Sequence, residues 1–365
     1  MFRILTGTHV PIQPDHLYVA PTMDDRRMWD LWLSGLHQPA IVAAEEAGIF
    51  TALAETPSTA VELAARLGFD ERATRVLVRL LAALRLLVVT DDGRYHLGDE
   101  ARIYLVKGSP WYWAPMASVA VSEWHRTRLL EKLRQRGSDQ VAGPEGTPLV
   151  SAEGRAADDW AAGTVSSARA REVAARMHAH SLPAAVGVAA HYDFSGTTRV
   201  LDVGGGSGCF MIAAAQAHAH LRCTVMELPA MCDAASGYIQ AGGVADRVDT
   251  CAVDMFRQPW PRGYDALFFS NVWHDWNVRT CRWLAARAFE ALPSGGRILL
   301  HEMLLDDDGA GPVTAASFSM LMLLATQGQQ FTAGELREIL DGAGFARVDV
   351  TPTHHYYSVV TGYKP

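Results

Sequence analysis

A histidine and an aspartate stand side by side between two tryptophans in the segment SNVWHDW, residues 270–276. This segment follows the apolar run ALFF, which predicts the end of a buried strand. Because a buried strand end seldom needs an imidazole, His274 is a candidate for chemistry. The alternatives are a core histidine with satisfied hydrogen bonds, or a ligand of non-haem iron together with Asp275. A third iron ligand would have to be His301, which should point away if its neighbour Glu302 points toward His274. We therefore predict no metal site.

A second chemical signal is the glycine-rich segment LDVGGGSG, residues 201–208, which follows a predicted strand and opens a helix. Glycines at such a turn let a ligand approach the backbone closely. A dinucleotide loop of the GxGxxG type that starts at Gly204 would need a glycine where Cys209 stands. The pattern present is GxGxG, formed by Gly204, Gly206 and Gly208. This departure argues against NAD.

Acidic residues at the ends of the next strands narrow the choice of cofactor. Glu227 ends the second predicted strand, where a carboxylate can accept hydrogen bonds from ribose hydroxyls. Asp254 and Met255 end the third strand, where an adenine could lie. The glycine loop together with these spaced strand ends resembles the cofactor site of class I methyltransferases. We therefore expect S-adenosyl-L-methionine as the cofactor.

The elements that must position these residues alternate between strand and helix in the second part of the chain. Five apolar strands are separated by helices, which predicts a doubly wound α/β domain. The last two apolar runs lack an intervening helix, so we expect an antiparallel hairpin at the sheet. The segments read as strands are RVLDVGG, RCTVMEL, RVDTCAV, ALFFSNV, RILLHEM and VDVTPTHHYYSVVTGYK.

The first part of the chain reads as helices followed by a two-strand wing. Thr59 and Glu62 form a capping box, Gly68 ends that helix, and Asp70 caps the next. Residues 59–97 hold six arginines against five acidic residues, and the presumed recognition helix has a leucine-rich face. A dimerisation module is therefore the better interpretation of this winged-helix pattern than a DNA-binding one.

Composition excludes several other classes of function. The 365 residues carry a formal net charge of −8 that is spread along the chain, which disfavours nucleic acid as a partner. Five scattered cysteines without a CxxC pair favour a reducing cytoplasm over zinc or disulfide frameworks. We also expect no signal peptide and no membrane span. A segment rich in Gly, Pro and charge, residues 134–157, is predicted to form a mobile loop or lid.

Five segments together carry a family resemblance: LDVGGGSG, VMELP, DMF, HDW and GGRILLHE. They closely resemble the small-molecule O-methyltransferases of the plant caffeate and bacterial polyketide type, over nearly everything after residue 28. The resemblance implies a homodimer and a doubly wound, mostly parallel seven-stranded sheet behind an N-terminal helical, winged-helix dimerisation domain. The domains we predict are an N-terminal extension (1–27), the dimerisation domain (28–110), a helical linker with substrate-pocket helices (111–195) and the catalytic domain (196–365).

The resemblance also implies catalytic roles. His274 stands at the family's catalytic base, and Glu302 matches the acid that orients it. The family usually has a second glutamate in a GxER(T) stretch, but here the stretch is GQQFT. Gln330 thus replaces the acid and Phe331 the arginine. A glutamine can still form a hydrogen bond, but it cannot stabilise an imidazolium by charge.

Cofactor and acceptor contacts follow by the same comparison. The resemblance implies that Gly204 and Gly206 line the cofactor loop, Glu227 holds the ribose, and Asp254 and Met255 flank the adenine. Ser270 stands where relatives often carry lysine or arginine near the cofactor. The residues expected to line an aromatic acceptor slot are Met177, His180, Trp273 and Met320.

The leading functional hypothesis is O-methylation of an aromatic hydroxyl on a small natural product. The main rival is carbon methylation of a phenol ring, such as that of tyrosine or a tyrosine-like precursor, because a phenolate is also nucleophilic at its ortho carbon. Further rivals are a relative that binds the cofactor without transferring methyl, and a winged-helix regulator that senses S-adenosylmethionine.

Overall fold

The N-terminal part of the chain folds into short helices and a two-stranded wing. The computed structural model describes residues 23–113, 122–135 and 165–365. The predicted lid, 134–157, lies almost wholly outside these residues, as does most of the predicted N-terminal extension. Helices and strands in the first described part are α1 (Arg26–Leu33), α2 (His37–Glu46), α3 (Ile49–Glu55), α4 (Ala60–Leu67), α5 (Glu71–Ala83), β1 (Leu87–Val89), β2 (Tyr95–Leu97) and α6 (Asp99–Tyr104).

The predicted winged-helix pattern is confirmed. Thr59 and Glu62 exchange side-chain and backbone hydrogen bonds at the start of α4, which ends at Gly68 in the left-handed conformation. Asp70 accepts a hydrogen bond from the Ala73 N–H at the start of α5. The strands β1 and β2 pair antiparallel as the wing. Local capping chemistry thus fixes where these helices begin.

A seven-stranded sheet forms the second part, as predicted. The strand order is β5-β4-β3-β6-β7-β9-β8, with β3 to β7 parallel and β8 and β9 forming the expected antiparallel hairpin. The remaining elements in chain order are α7 (Glu123–Arg134), α8 (Ser167–His191), β3 (Arg199–Val203), α9 (Cys209–Ala217), β4 (Arg222–Glu227), α10 (Pro229–Ala241), β5 (Val248–Ala252), β6 (Ala266–Ser270), α11 (Val278–Ala291), β7 (Arg297–Met303), α12 (Val313–Ala325), α13 (Ala333–Gly342), β8 (Ala346–His354) and β9 (Tyr357–Tyr363).

Helices cover both faces of this sheet, and a ligand cleft is expected at its carboxyl edge. Helices α8, α9 and α10 pack together on one face, and α11 and α13 pack together on the other. Strands β4 and β5 lie on one side of β3, and β6 and β7 lie on the other side. The strand order therefore reverses at β3. In open α/β sheets, ligands bind outside the carboxyl ends of the strands at such a reversal.

Two arginines of α5 tie the N-terminal domain to the catalytic domain. Arg72 is buried and donates a hydrogen bond to the Gly328 carbonyl at 2.9 Å. Arg79 forms a two-pronged ion pair with Glu335, at 2.9 and 3.3 Å. Because a bidentate guanidinium–carboxylate pair fixes geometry as well as charge, these contacts hold α5 against the loop before α13. None of the helices in the described part of the chain has the length and apolarity needed to cross a membrane.

Candidate active site

His274 lies in a short 3₁₀ turn that follows β6, and two buried polar side chains meet its ring. Its Nδ1 atom is 2.8 Å from Glu302 Oε2 and 3.0 Å from the side-chain amide of Gln330. All three residues are almost completely buried. The structure therefore brings together the three residues that were predicted to be catalytic.

Strand alternation explains why Glu302 and not His301 reaches this turn. Successive side chains of a strand point to opposite sides. His301 faces the other side and bonds through Nδ1 to the Ser270 hydroxyl at 2.8 Å. Glu302 accepts a hydrogen bond from the Trp273 N–H through its second oxygen, at 3.1 Å, so both ends of its carboxylate are engaged.

Electrostatics favour charge on the His274 ring. Burial by itself disfavours the imidazolium, but attraction to the Glu302 carboxylate, with a hydrogen bond to it, outweighs burial and raises the pKa of His274 above its usual value. Asp275 adds a weaker attraction, with its Oδ1 atom 3.8 Å from His274 Nε2. The ring is thus prepared to accept a proton.

The amide nitrogen of Gln330 lies 3.0 Å from His274 Nδ1, and the roles of donor and acceptor in this contact depend on the tautomer of the ring. In the tautomer that bonds to Glu302, Nδ1 carries its one hydrogen and cannot also accept one from an NH₂ group. The consistent arrangement turns the amide so that its oxygen faces Nδ1. The Gln330 backbone is held in turn, because its N–H donates to the Ser319 hydroxyl at 3.0 Å. Gln330 thus lies beside the His274 ring as an uncharged group, and its correspondence to the family's second acid stays a prediction.

Gly328 is a residue that the sequence interpretation missed. A Cβ atom at this position would collide with the backbone carbonyl of His274, so the GQQFT loop can pass the 3₁₀ turn only with glycine there. The GQQFT stretch departs from the family pattern at Gln330, and its first residue carries no separate signal in the sequence. Gly328 links the loop to His274 on one side and to Arg72 on the other.

An aromatic wall leads away from His274. The Phe318 ring lies edge-on to His274, with centroids 5.1 Å apart. Trp29 of α1 contacts Phe318 at 5.4 Å and His180 at 4.7 Å. His180 therefore borders this region, whereas Trp29 and Phe318 were missed because no local pattern marks them. Met177, on the same helix as His180, is 39% exposed, and its contact with an acceptor stays a prediction.

Trp273 and Met320 are fully buried side chains. Trp273 is fully buried and packs on Phe269 in the core beneath α11. Met320 is fully buried in the core cluster that also contains Trp29 and Phe318. The expected place of both residues in the acceptor slot stays a prediction. Trp273 is next to His274 in sequence, but adjacent residues can face opposite ways. Met320 lies in α12, which is apolar on nearly all sides, so its sequence does not show which side faces the acceptor.

The glycine loop has unsatisfied polar groups next to it. Gly204 and Gly206 adopt the left-handed conformation, with φ of 72° and 57°. A Cβ at Gly205 would collide with the carboxylate of Asp202. Asp202 is fully buried, and neither of its oxygens has a hydrogen-bond partner among the described residues. Burial, and then repulsion from Glu227, raise the pKa of Asp202 well above its usual value. These residues fit a polar, positively charged ligand such as the expected cofactor.

The other predicted cofactor residues lie along the same edge. Glu227 ends β4 and accepts a hydrogen bond from the Leu228 N–H at 2.8 Å, and burial raises its pKa to about 6. Asp254 is engaged by its own turn, since it accepts from the Phe256 N–H and pairs with Arg257. The Met255 carbonyl accepts from Trp260, and the Ser270 hydroxyl is bonded to His301. Direct cofactor contacts of Asp254 and Ser270 stay predictions.

A separate cluster lies at the tip of the terminal hairpin. His354 Nε2 is 2.9 Å from Asp25 Oδ1, and His355 Nε2 is 3.7 Å from the same atom. Among the described residues, these three side chains alone have the spacing of metal ligands. Arg26 lies 3.3 Å from the other ring nitrogen of His355 and places a positive charge there. This cluster is distinct from the His274 site.

Comparison with known proteins identifies the family. The model of an O-methyltransferase domain matches residues 138–346, and that of an O-methyltransferase dimerisation domain matches residues 29–107. The chain is 37% identical to 3-hydroxy-5-methyl-1-naphthoate 3-O-methyltransferase from Streptomyces sahachiroi, over 84% of this chain and 86% of the relative. It is 29% identical to L-tyrosine C(3)-methyltransferase from Streptomyces lavendulae, over 83% and 82%.

A solved structure with a similar fold extends over nearly the whole chain. The family 2 O-methyltransferase from Planctomyces limnophilus, in complex with apigenin, superimposes with a TM-score of 0.82 at 28% identity, covering 95% of this chain and 98% of that one. Matches to both domains, together with a glycine loop and strand-end acids that suit the cofactor, lead to one conclusion. The chain belongs to the O-methyltransferase family with an N-terminal dimerisation domain, and it is an S-adenosylmethionine-dependent methyltransferase.

Proposed function

We propose that the protein methylates the hydroxyl group of a small phenolic natural product, with His274 as the general base. The observation that carries this proposal is the buried contact of His274 Nδ1 with Glu302 and Gln330. With its proton held at Nδ1, the neutral ring has its lone pair at Nε2. Asp275, at 3.8 Å, is beyond hydrogen-bond distance from Nε2. That atom is therefore available to the acceptor.

The difference in pKa between base and acceptor determines when the proton moves. A phenol has a pKa of about 10, and an imidazolium about 6.5. Complete proton transfer before methyl transfer would cost roughly 5 kcal/mol, at 1.36 kcal/mol per pKa unit. Because Glu302 raises the pKa of His274, it narrows this difference. We infer that His274 takes the proton as the new oxygen–carbon bond forms.

The cofactor side of the cleft provides the second half of the proposal. S-adenosylmethionine supplies an electrophilic methyl group on a positively charged sulfur. Gly204 and Gly206 would let it approach the backbone, and Glu227 would accept hydrogen bonds from its ribose. Asp254, Met255 and Ser270 remain candidates for contacts with the adenine and the rest of the cofactor. The list of candidates gains one residue, Asp202, whose buried carboxylate has no hydrogen-bond partner within residues 23–113, 122–135 and 165–365.

A direct assay tests this function. Wild-type protein is incubated with methyl-labelled S-adenosylmethionine and a panel of phenols and hydroxynaphthalenes, and NMR locates the new methyl group in each product. We expect a methoxy signal, because Nε2 of His274 removes a hydroxyl proton. Cofactor binding without methylation of any member of the panel would contradict the proposed function.

Carbon methylation is the second candidate, and two observations favour keeping it. One relative named above is a tyrosine C(3)-methyltransferase. In addition, the GQQFT stretch places Gln330 and the fully buried Phe331 where relatives have a glutamate and an arginine. The same base would form the phenolate, and the ortho carbon would then attack. A ring-methyl signal in the NMR assay identifies this outcome.

We propose further that the protein acts as a homodimer in the cytoplasm. Among the described residues, most large apolar side chains that remain exposed belong to the N-terminal part. They include Met28, Leu31, Trp32, Val61, Val88, Ile103, Tyr104, Trp111 and Trp113. Exposed apolar patches of this kind mark interaction surfaces. Sedimentation velocity should show a dimer at neutral pH; a fully active monomer would contradict the proposed assembly.

A further inference from the structure

The cluster of Asp25, His354 and His355 joins the beginning of α1 to the tip of the β8–β9 hairpin. Asp25 Oδ1 is 2.9 Å from His354 Nε2 and 3.7 Å from His355 Nε2. One ligand-type atom from each of the three residues lies within 4.8 Å of the others. Imidazole nitrogens and a carboxylate oxygen are donors that zinc and related transition metals accept, whereas magnesium and calcium prefer oxygen ligands. The donor set is therefore that of a transition-metal site.

The distances within the cluster are close to those around a four-coordinate metal ion. With bonds of about 2.0–2.2 Å in a tetrahedral arrangement, neighbouring ligand atoms lie about 3.3–3.5 Å apart. The contact of His355 with Asp25 would have to shorten slightly, and that of His354 with Asp25 would have to widen by about half an ångström. This shorter contact is a hydrogen bond, so a proton lies between ring and carboxylate. A metal ion would take the place of that proton, which is released to solvent.

The backbone places the two histidine rings side by side. His355 adopts a left-handed conformation, with φ of 47°, and the two ring centroids are 4.1 Å apart. Histidine is among the residues that tolerate this conformation better than most. Gly187 of α8 packs against His354, and a Cβ atom at Gly187 would collide with the His354 Cβ atom. These two features hold the backbone of both histidines in place.

A second hydrogen bond orients the carboxylate of Asp25. Its Oδ2 atom accepts from Trp29 Nε1 at 3.1 Å, which leaves Oδ1 directed at the two histidines. Metal-binding carboxylates are typically held by outer hydrogen bonds of this kind. Asp24 Oδ2 lies 3.8 Å from His355 Nε2 and is within reach as a fourth ligand. Because Trp29 belongs to the aromatic wall, an ion bound to Asp25 would also help to fix that wall.

One positive charge opposes a metal ion at this place. Arg26 Nη2 lies 3.3 Å from His355 Nδ1, a contact in which the neutral ring carries its hydrogen on Nε2. A metal bound at Nε2 would require that hydrogen on Nδ1, so the exposed Arg26 side chain would have to turn away. Its guanidinium already lies 5.8 Å from the Tyr356 ring, which offers an alternative contact. Arg26 therefore lowers the affinity of the cluster for a cation, and its removal should raise that affinity.

We propose that Asp25, His354 and His355 bind one divalent transition-metal ion of the zinc type, with Asp24 or water as the fourth ligand. The ion would tie α1 to the terminal hairpin and stabilise the contact between them. This site departs from the sequence-based expectation of no metal site, because its ligands stand 329 positions apart and meet only in the folded chain. The proposal does not depend on which acceptor the enzyme methylates.

Calorimetry with zinc chloride tests the site on the full-length, untagged protein after metal has been removed with a chelator. We expect one zinc ion per chain with a Kd of about 1 μM, weaker than structural sites with four protein ligands. His355→Asn, which tolerates the left-handed backbone, and Asp25→Asn, which keeps an acceptor for Trp29, should each weaken binding by about tenfold or more. Arg26→Ala should strengthen it a few-fold. The matched control is His220→Ala, which alters another pair of nearby histidines and should leave the affinity unchanged.

Thermal unfolding gives a second measure of the same site. Saturating zinc should raise the Tm of the wild-type protein by about 2–4 °C and leave that of His355→Asn unchanged. Circular dichroism checks that each variant is folded, and His354→Gln replaces any variant that is not. Absence of zinc binding, or equal zinc affinity in the wild type and the folded ligand variants, would refute the site. Magnesium chloride that binds as tightly as zinc would overturn the assignment to a transition metal.

Discussion

The two ends of the cleft differ in how far their charged groups are already paired. At the β6–β7 end, His274 touches Glu302 and Gln330, and Glu302 also binds the Trp273 N–H. At the β3–β4 end, both oxygens of the buried Asp202 lack a hydrogen-bond partner among the described residues. The proposed base thus already contacts a carboxylate and an amide, whereas the proposed cofactor end holds a buried carboxyl group that the described residues leave unpaired.

This difference predicts which substitutions should affect catalysis and which should affect cofactor binding. A preorganised base needs no rearrangement when the acceptor arrives, which keeps the cost of reaching the transition state low. An unpaired carboxylate at the other end penalises the free enzyme, and a cationic ligand relieves that penalty. We therefore expect substitutions at the first end to change turnover, and substitutions at the second end to change cofactor affinity.

The largest effect should come from His274→Ala. Turnover should fall by about 10²–10⁴, the usual contribution of a positioned general base, while calorimetry should show nearly unchanged cofactor affinity. The loss should shrink as the pH approaches the acceptor's own pKa, because the phenolate then forms without the protein. His191→Ala, a histidine that bonds its own helix carbonyl, is the control. Wild-type turnover in His274→Ala at neutral pH would make the histidine merely structural.

Glu302→Gln should have the next largest effect. The amide keeps an acceptor for the Trp273 N–H but removes the charge that stabilises the imidazolium, so turnover should fall by about 10–100-fold. Burial, which disfavours the imidazolium, would then outweigh the remaining attraction to Asp275, and the pKa of His274 should drop. Since the deprotonated ring is the active form, the acid limb of the pH–rate profile should move to lower pH. An acid limb at the same pH as in the wild type would mean that Glu302 does not affect the pKa of His274.

Glu227→Ala tests the other end of the cleft. Removing the proposed ribose acceptor should weaken S-adenosylmethionine binding by about 2 kcal/mol, roughly 30-fold, while turnover at saturating cofactor stays within a few-fold. Isothermal titration calorimetry measures the affinity, and Glu290→Ala, an exposed glutamate on α11, is the control. Unchanged affinity in a folded Glu227→Ala protein would mean that the ribose is held elsewhere.

Sequence patterns predicted those parts of the fold and the site that depend on local chemistry. The capping box of Thr59 and Glu62 and the antiparallel final hairpin follow from short-range rules, and all are present. The contact of Glu302 with His274 agrees with strand alternation. Such features need only the order of neighbouring residues.

Contacts between distant elements could not be predicted in this way. Trp29 reaches the site from α1, and its contact with Phe318 joins residues almost three hundred positions apart. Gly328 is required only because the chain happens to pass the His274 carbonyl. Trp273 and Met320 were expected to face the acceptor, and their burial depends on how helices pack on each face of the sheet. Packing of this kind leaves no periodic signal in the sequence.

The smallest effect, and the most diagnostic one, should come from Gln330→Glu. The side chain already lies 3.0 Å from His274 Nδ1, so a carboxylate there would act on the ring at close range. A second negative charge should raise the pKa of His274 further above its usual value, where Glu302 already holds it. Because the neutral ring is the base, the acid limb of the pH–rate profile should move to higher pH.

The plateau rate should change by only a few-fold, since the stronger base offsets the cost of burying another carboxylate. Gln329→Glu, at the adjacent buried position, controls for added charge without that contact. If Gln330→Glu and Gln329→Glu shift the limb equally, Gln330 holds no special place beside the histidine. If only Gln330→Glu shifts it, the neutral amide is a genuine substitute for the family's second acid. His274 is then a weaker base in this enzyme than in relatives with two carboxylates.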